Sequence, residues 1–172
     1  GSYSLASTFN AVGLSMSNNL QDDTTYGDTF TSNASGLSSV SLEGEGYWDS
    51  TNDGILQTST AISAAEALVT VTPVDQAVGS PALFTQLKTS EYNPIATGTV
   101  GEMMAFRVTG EGQGEKVIHG EIMVAPGTTR TSSGTSAVNN LGAVSATQAI
   151  YSALHVLTVA GSSPTLDVVV KS

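Results

Sequence analysis

The strongest constraint on the fold is the alternation of side chains along residues 39–48. Val40, Leu42, Gly44, Gly46 and Trp48 occupy the even positions, while serine, glutamate and tyrosine occupy the odd ones. Successive side chains of a β-strand point to opposite faces, so this pattern predicts a strand with one apolar face and one polar face. Glycine weakens a strand unless another group must approach its backbone. The two glycines therefore weaken this strand, unless another backbone or side chain comes close to them.

Alternation and turn-forming residues predict several more short strands. Segments 103–109 and 116–125 flank a glycine-rich connection at residues 110–115, and we predict that they form an antiparallel hairpin. Asn93 and Pro94 indicate a turn. The other predicted strands cover residues 10–17, 68–72, 81–87, 154–159 and 165–171.

Two segments have helical patterns, and one long segment has no period. Apolar spacing predicts a helix over residues 55–67 after a turn, and the capping-box spacing of Ser145 and Gln148 predicts another over 146–153. Residues 20–36 are rich in turn formers and predict an extended loop. The fold class is therefore mainly β: an antiparallel β-sandwich or barrel with one or two short flanking α-helices and a long extended loop.

The length of 172 residues suffices for one domain with a core and is too short for two. We therefore expect a single domain spanning residues 1–172. The sequence stops directly after a predicted strand, so we expect that a natural C-terminal extension is missing.

Charge is scarce and unevenly placed. Only 12% of the residues are charged, and the net charge is −10. Residues 1–87 contain nine acidic side chains and no Lys or Arg, whereas residues 88–172 contain six acidic and five basic ones. The acidic part argues against a basic nucleic-acid footprint, although like charge also suits a surface past which DNA slides without adhering. Solubility alone is an equally good explanation of the acids, while the weakly charged surface favours packing against copies of the same chain.

The sequence contains no catalytic constellation. His119 and His155 lie inside predicted strands, which favours structural roles, and no nucleophile elbow or phosphate-binding loop is present. Glu43 and Glu45 point the same way, about 7 Å apart, and so do not face each other across a cleft as glycosidase carboxylates do. We expect no enzyme activity, no catalytic residue and no cofactor.

Two acidic loops have part of the ligand pattern of a calcium site. Residues 49–54 carry oxygen ligands at positions one and five, but Thr51 and Thr60 occupy positions that a calcium loop fills with a side-chain ligand and a bidentate glutamate. The other loop contains three aspartates between residues 22 and 28. Ordinary turn chemistry explains both loops better, since Asp and Asn favour turns. We therefore expect no metal. No apolar run reaches the length of a membrane span, so no membrane partner is expected.

Several segments together resemble the major tail (tail tube) proteins of long-tailed bacteriophages. The resemblance begins with residues 23–30 (DTTYGDTF), continues through Gly36 and Leu37, and includes the strand over residues 40–48. Later matching features are Gly101-Glu102, the strand around Phe106, His119-Gly120-Glu121, residues 141–151, and the segment from Leu154 to Val170.

This resemblance implies a structural virion protein that self-assembles. Subunits of such proteins form six-membered rings, the rings stack into a hollow tube, and DNA passes through an acidic lumen without specific binding. The implied partners are copies of the same chain and other phage tail proteins, in a virion whose proteins are made in the host bacterial cytoplasm. A long loop reaches a neighbouring subunit.

The resemblance also implies residue roles. The inter-subunit loop is expected to use Asp22, Asp23, Tyr26, Asp28 and Phe30. The acidic residues expected to face the lumen are Asp22, Asp23, Asp28, Glu43 and Glu45.

Two alternatives from other classes remain open. One is a capsid decoration protein or another filament-forming structural protein, which a location on the head shell would distinguish. The other is a carbohydrate-binding β-sandwich module, for which Tyr47 and Trp48 are the only adjacent aromatic pair.

Overall fold

The strands and the helix follow one another from the N-terminal third of the chain to residue 121. The computed structural model describes residues 2–61, 64–114, 116–132, 134, 142–143, 145–161, 165–166 and 168–169. Its elements, in chain order, are β1 (Phe9–Asp22), β2 (Asn33–Tyr47), α1 (Ser50–Ser59), β3 (Ala67–Val71), β4 (Pro81–Thr97), β5 (Ala105–Gly112) and β6 (Ile118–Glu121).

The strands form one antiparallel sheet in the order β1-β2-β5-β4-β3, with β6 also paired to β4. The predicted mainly-β fold with a short helix is therefore confirmed. β2 is the predicted alternating strand, and Gly44 and Val108 lie opposite each other in its pairing with β5.

β1 and β2 are much longer than predicted, and they pair along almost their whole length from Phe9–Gly46 to Asp22–Asn33. The extended loop predicted over residues 20–36 is accordingly shorter, because its two ends belong to the strands. Residues 23–32 connect them. The prediction missed the outer pairs because cross-strand hydrogen bonding can hold a polar ladder that has no apolar period. In the first of these outer pairs, the Ser38 hydroxyl donates a hydrogen bond to Oδ1 of Asn18 at 2.6 Å.

The predicted hairpin between residues 103–109 and 116–125 is wrong. β5 and β6 do not pair with each other; both pair with β4, which meets Gly112 at Leu87 and Ile118 at Phe84. β4 has 17 residues and so provides partners for both strands in succession. The glycine-rich connection is a break between two strands that run in the same direction. Gly114 adopts φ +84° there, a conformation that favours glycine.

β4 also continues through the predicted turn at Asn93 and Pro94. Its register with β5 shifts between Asn93 and Thr97, where four residues of β4 span two residues of β5. Proline lacks an N–H donor, and a bulge is a place where a strand tolerates that loss.

The helix begins earlier and ends earlier than the predicted span of 55–67. Asp49 caps it, and its carboxylate accepts hydrogen bonds from the backbone N–H groups of Thr51 (2.9 Å) and Asn52 (3.2 Å). Asp and Asn favour turns and helix caps alike, which is why residues 49–54 resembled a turn in the sequence. After Ser59 the chain leaves the helix, with the Thr60 hydroxyl donating to the carbonyl oxygen of Gln57 at 2.8 Å.

α1 packs on the apolar face of the sheet. Leu56 forms a buried cluster with Phe106 and Val108, and Leu5, Phe9 and Tyr92 pack around it. A second cluster on the sheet joins Val40, Leu87 and Val117. Three polar contacts also fix the helix, among them the Tyr92 hydroxyl donating to Asp53 at 2.6 Å.

Both glycines of β2 have close neighbours, which is the condition under which a strand tolerates them. A Cβ atom on Gly44 would meet the ring of Phe9, and a Cβ on Gly46 would meet the carbonyl oxygen of Thr8 and the ring of Phe106. Both glycines are buried. They therefore make room for a chain segment and two aromatic rings that complete the core.

The C-terminal part differs from prediction. Ser145 and Gln148 form the reciprocal bonds of a single turn, at 2.8 and 3.0 Å, but no helix over 146–153 follows. No strand forms over 154–159, and the described residues of the predicted strand at 165–171 are not in a strand either; residues 167, 170 and 171 lie outside the described set. No helix of the described residues is long and apolar enough to span a bilayer.

Candidate functional site

The tip of the β1–β2 hairpin brings together the five residues predicted for the inter-subunit loop. Asp22 accepts hydrogen bonds from the Thr24 hydroxyl (2.5 Å) and the Thr24 backbone N–H (2.9 Å). Asp28 accepts from the Thr25 backbone N–H at 2.7 Å and from its hydroxyl at 3.0 Å. These bonds give residues 23–32 a defined conformation.

The same bonds shift the acidity of the two aspartates. The Thr24 hydroxyl, followed by its backbone N–H, lowers the pKa of Asp22 below its ordinary value. The Thr25 backbone N–H, followed by its hydroxyl, lowers the pKa of Asp28. Both carboxylates are fully exposed and so remain charged at neutral pH.

Two aromatic side chains of the tip project into solvent. Tyr26 is fully exposed and Phe30 nearly so. Exposure of an aromatic ring to water is unfavourable, and burial of the ring against a partner removes that cost. The tip therefore combines a fixed, negatively charged loop with two uncovered rings.

The body of the same hairpin has one uncovered apolar side. Leu14 packs against the core cluster, but Val12 and Met16, which share its face, are exposed. Leu20, farther along β1, is exposed as well. A two-stranded ribbon is marginally stable in water without packing on its apolar face. This side of the hairpin therefore has the character of a contact surface.

β1 is also an edge strand. It pairs with β2 on one side, while β3, with five residues, forms the opposite edge of the sheet. Natural edge strands are commonly protected by lysine, proline or short length. The 14 residues of β1 include neither lysine nor proline. Among the described residues, β1 therefore has a strand neighbour on one side only.

Glu43 and Glu45 lie on the other face of the sheet, opposite to the face that α1 covers. Glu45 approaches Arg107 of β5 at 3.8 Å (Oε2 to Nη2). Glu43 lines a shallow polar depression together with Glu91, Asn93, Arg107 and Thr109. This polar face of β1, β2, β5 and β4 is defined here as the polar sheet face.

The structure separates the acidic residues that were predicted to share one role. Asp22, Asp23 and Asp28 lie at the hairpin tip, whereas Glu43 pairs in register with Gly13. Nine residues of β1 separate Gly13 from Asp22, which corresponds to about 30 Å of strand. The tip and the polar sheet face are therefore two distinct surfaces.

The structure also places the two histidines and the calcium candidates. His119 lies in β6 opposite Leu83, and His155 Nε2 is 2.8 Å from the Thr70 hydroxyl. Among the described residues, no group of three or more His, Cys, Asp or Glu side chains is arranged to hold a metal ion. In the calcium candidate at residues 49–54, the carboxylate of Asp49 serves as the helix cap.

Sequence reasoning missed the partners of Glu43 and Glu45 on the polar sheet face. Arg107 comes from β5, which was predicted to pair with residues 116–125. Glu91 and Asn93 come from the part of β4 that lies beyond the predicted strand 81–87. The alternation of Arg107 with Phe106 and Val108 was the available signal, because it puts Arg107 on the face opposite to the core.

The chain exposes far more surface than a compact monomer of its mass. Its accessible surface is 12,699 Å². A compact monomer of 17.5 kDa would expose about 7,900 Å². The difference exceeds what a typical protein–protein interface buries, about 1,600 Å² in total. Contact with more than one neighbour would cover it.

Comparison with known proteins shows similarity at the level of the fold. No protein-family model matches the sequence, and no curated protein matches it either. A chain in the virion of a native gene transfer agent particle is similar, with a TM-score of 0.53 at 12% identity over 66% of this chain and 85% of that one. A chain in the tail of an empty gene transfer agent particle, refined helically with C6 symmetry, gives a TM-score of 0.50 at 12% identity, covering 66% and 81%. The fold is thus shared with a chain of a gene transfer agent virion and with a chain of a gene transfer agent tail.

Proposed function

We propose that this protein is a single-domain structural subunit of a phage-type tail tube. The observation that carries the proposal is the fold shared with a chain of a C6-symmetric tail. In this proposal, six copies close a ring, rings stack into a tube, and DNA passes through the tube. The subunit is made in the host bacterial cytoplasm and ends in the virion, together with other tail proteins.

Ring closure is supported by β1, an edge strand that pairs only with β2 among the described residues. A strand of the next copy would pair with the outer side of β1. Repeated six times, this pairing would close the sheets into a ring, as closure does in a barrel. The large exposed surface of the isolated chain supports the same conclusion.

The polar sheet face is the surface proposed to line the lumen. α1 covers the opposite face, so the helix would lie on the outside of the ring. Glu43 and Glu45 would then face the passing DNA, whose phosphates they repel. The remaining predicted lumen residues, Asp22, Asp23 and Asp28, belong to the proposed inter-subunit arm because of their distance from this face.

The arm is the hairpin tip, residues 22–32, which would contact the next ring. The hydrogen bonds of Asp22 and Asp28 fix the conformation of its loop. The exposed aromatic side chains of Tyr26 and Phe30 would make the contact with the next ring of subunits. The tip contributes no residue to either buried cluster. It can therefore change without loss of the core.

Electron microscopy of the purified full chain, with sedimentation velocity, tests the tube. Stacked rings of six subunits are expected. A stable monomer at high concentration, or a position on the head shell in the particle, would exclude the proposal. The second outcome would favour a capsid decoration protein.

Point variants test the arm separately. Tyr26→Ser and Phe30→Ser should leave the unfolding midpoint unchanged and reduce the yield of tubes. Val100→Ser is the matched control, since Val100 is also fully exposed but lies in a turn between β4 and β5. Equal tube yield for all three variants would show that the tip is not the contact.

A further inference from the structure

The six strands contain two basic residues, and both lie on the polar sheet face. Arg107 pairs in register with Glu45 of β2. Lys88 pairs in register with Glu111 of β5. Residues opposite each other in an antiparallel ladder share a face, so each basic side chain has an acidic neighbour across the strand.

The surroundings of Arg107 are acidic beyond its direct partner. Glu43 and Glu91 both pair in register with Thr109, which lies two residues after Arg107 in β5. Both also line the same depression as Arg107. The Arg107 side chain is 60% exposed and that of Glu45 is 39% exposed. The guanidinium group is therefore within reach of a molecule moving along this face.

An accessible arginine on such a surface is a hazard for a DNA conduit. Its planar guanidinium binds phosphate in a bidentate manner, and each such contact strengthens DNA binding in a salt-dependent way. A carboxylate held on the same guanidinium competes with phosphate and cancels the local positive charge.

We propose that Glu45 and Glu111 mask the two basic residues of the polar sheet face, so that this face offers passing DNA no free cation. The proposal rests on the proposed function, because it assumes that the face lines the lumen. It assigns the acids a specific partner in place of a diffuse negative charge. β2 provides Glu45, the carboxylate next to Arg107, and β5 provides Glu111, the carboxylate next to Lys88.

Retention of DNA by assembled tubes tests the masking. Tubes of the wild-type chain, Glu45→Gln and Glu102→Gln are incubated with labelled duplex DNA and sedimented in 50 and 200 mM salt. Glu102→Gln is the matched control, because it removes the same charge from a turn outside the sheet. Each newly available arginine that reaches a phosphate should raise retention about 3.5-fold between 200 and 50 mM salt, with up to about six such contacts in a ring.

A second substitution makes the result specific. Glu45→Gln/Arg107→Gln should return retention to the wild-type level, and Glu111→Gln should increase retention through Lys88. Glu45→Gln can also be co-assembled as a minority with wild-type subunits if the pure variant does not form tubes. Retention equal to that of Glu102→Gln, or retention that persists in the double variant, overturns the masking. Wild-type protein that forms no tubes overturns the proposed function as well.

Discussion

The most informative test of the fold is the addition of a single methyl group at Gly46. This glycine lies in β2, where a Cβ would meet the carbonyl oxygen of Thr8 and would lie 3.0 Å from Cε1 of Phe106. The Phe106 ring is 1% exposed and packs edge-on against Phe9, with ring centroids 5.4 Å apart. Because the Thr8 contact is backbone and the Phe106 ring is buried, the clash can be relieved only by shifting the chain at Thr8 or repacking the core.

The expected cost of Gly46→Ala follows from these contacts. Overpacking a filled core costs about 1–3 kcal/mol. Moving Thr8 also breaks the hydrogen bond that its carbonyl oxygen accepts from the Tyr47 backbone N–H at 3.3 Å, worth about 1 kcal/mol. The free energy of unfolding should therefore fall by about 2–4 kcal/mol, and Tm by roughly 4–16 °C in a domain of this size.

Urea and thermal unfolding followed by circular dichroism measure this change, at a protein concentration where the chain is monomeric. Gly13→Ala is the control, since Gly13 lies in β1 and a Cβ there meets nothing within 4 Å. That variant should be neutral or stabilise by about 0.5–1 kcal/mol, because alanine restricts the unfolded chain more than glycine does. Equal stability of the two variants would refute the described packing at Gly46.

Three further predictions concern the core, the helix and the hairpin tip. Phe106→Ala should lower the free energy of unfolding by about 3–5 kcal/mol in urea titrations, since it empties the centre of the helix–sheet cluster; a loss below 1 kcal/mol would contradict that placement. Asp49→Ala should cost about 1 kcal/mol by removing the cap of α1, whereas Asp49→Asn should retain most of it. The pKa of Asp22 is lowered in the folded protein from 3.8, so its stabilising bonds to Thr24 are present above that pH and are lost as the pH falls through the lowered value. Hydrogen exchange at the Thr24 amide, corrected for intrinsic rates, should show that protection at pH 6 and its loss well below pH 3.8, and protection that persists at pH 1 would contradict the assignment.

The parts of the fold that sequence predicts well are those that local periodicity determines. The alternation around Val40 and Leu42 placed β2 and its two faces. This inference needed no knowledge of the partner strand. Odd-numbered and even-numbered side chains of a strand point to opposite faces of the sheet. Burial of one face therefore requires apolar residues at either the odd or the even positions.

The parts that sequence did not predict depend on partners far along the chain. The segments on either side of Gly114 each resemble one strand of a hairpin, yet both find a longer partner in β4. Residues 49–54 have the composition of a turn, yet Asp49 becomes a helix cap because Leu56, about two turns later, is buried against Phe106. In both cases tertiary contacts chose between local structures of similar propensity.

The candidate surfaces show the same division. The composition of the tip around Tyr26 and Asp28 was visible in the sequence, and the structure gathers these residues at one end of a hairpin. Their separation from Glu43 was not visible, because a loop and a long two-stranded ribbon differ in reach by tens of ångströms. The partner of Glu45 was not visible either, since Arg107 is set beside it by sheet register alone.

A helical reconstruction of assembled tubes by cryo-electron microscopy tests the central claim most directly. The proposal predicts rings of six subunits in which Glu43, Glu45 and Arg107 face the tube axis, while α1 lies on the outer surface and the hairpin tip contacts the next ring. Rings with α1 toward the axis, or a protein that remains a monomer under all assembly conditions, would contradict it.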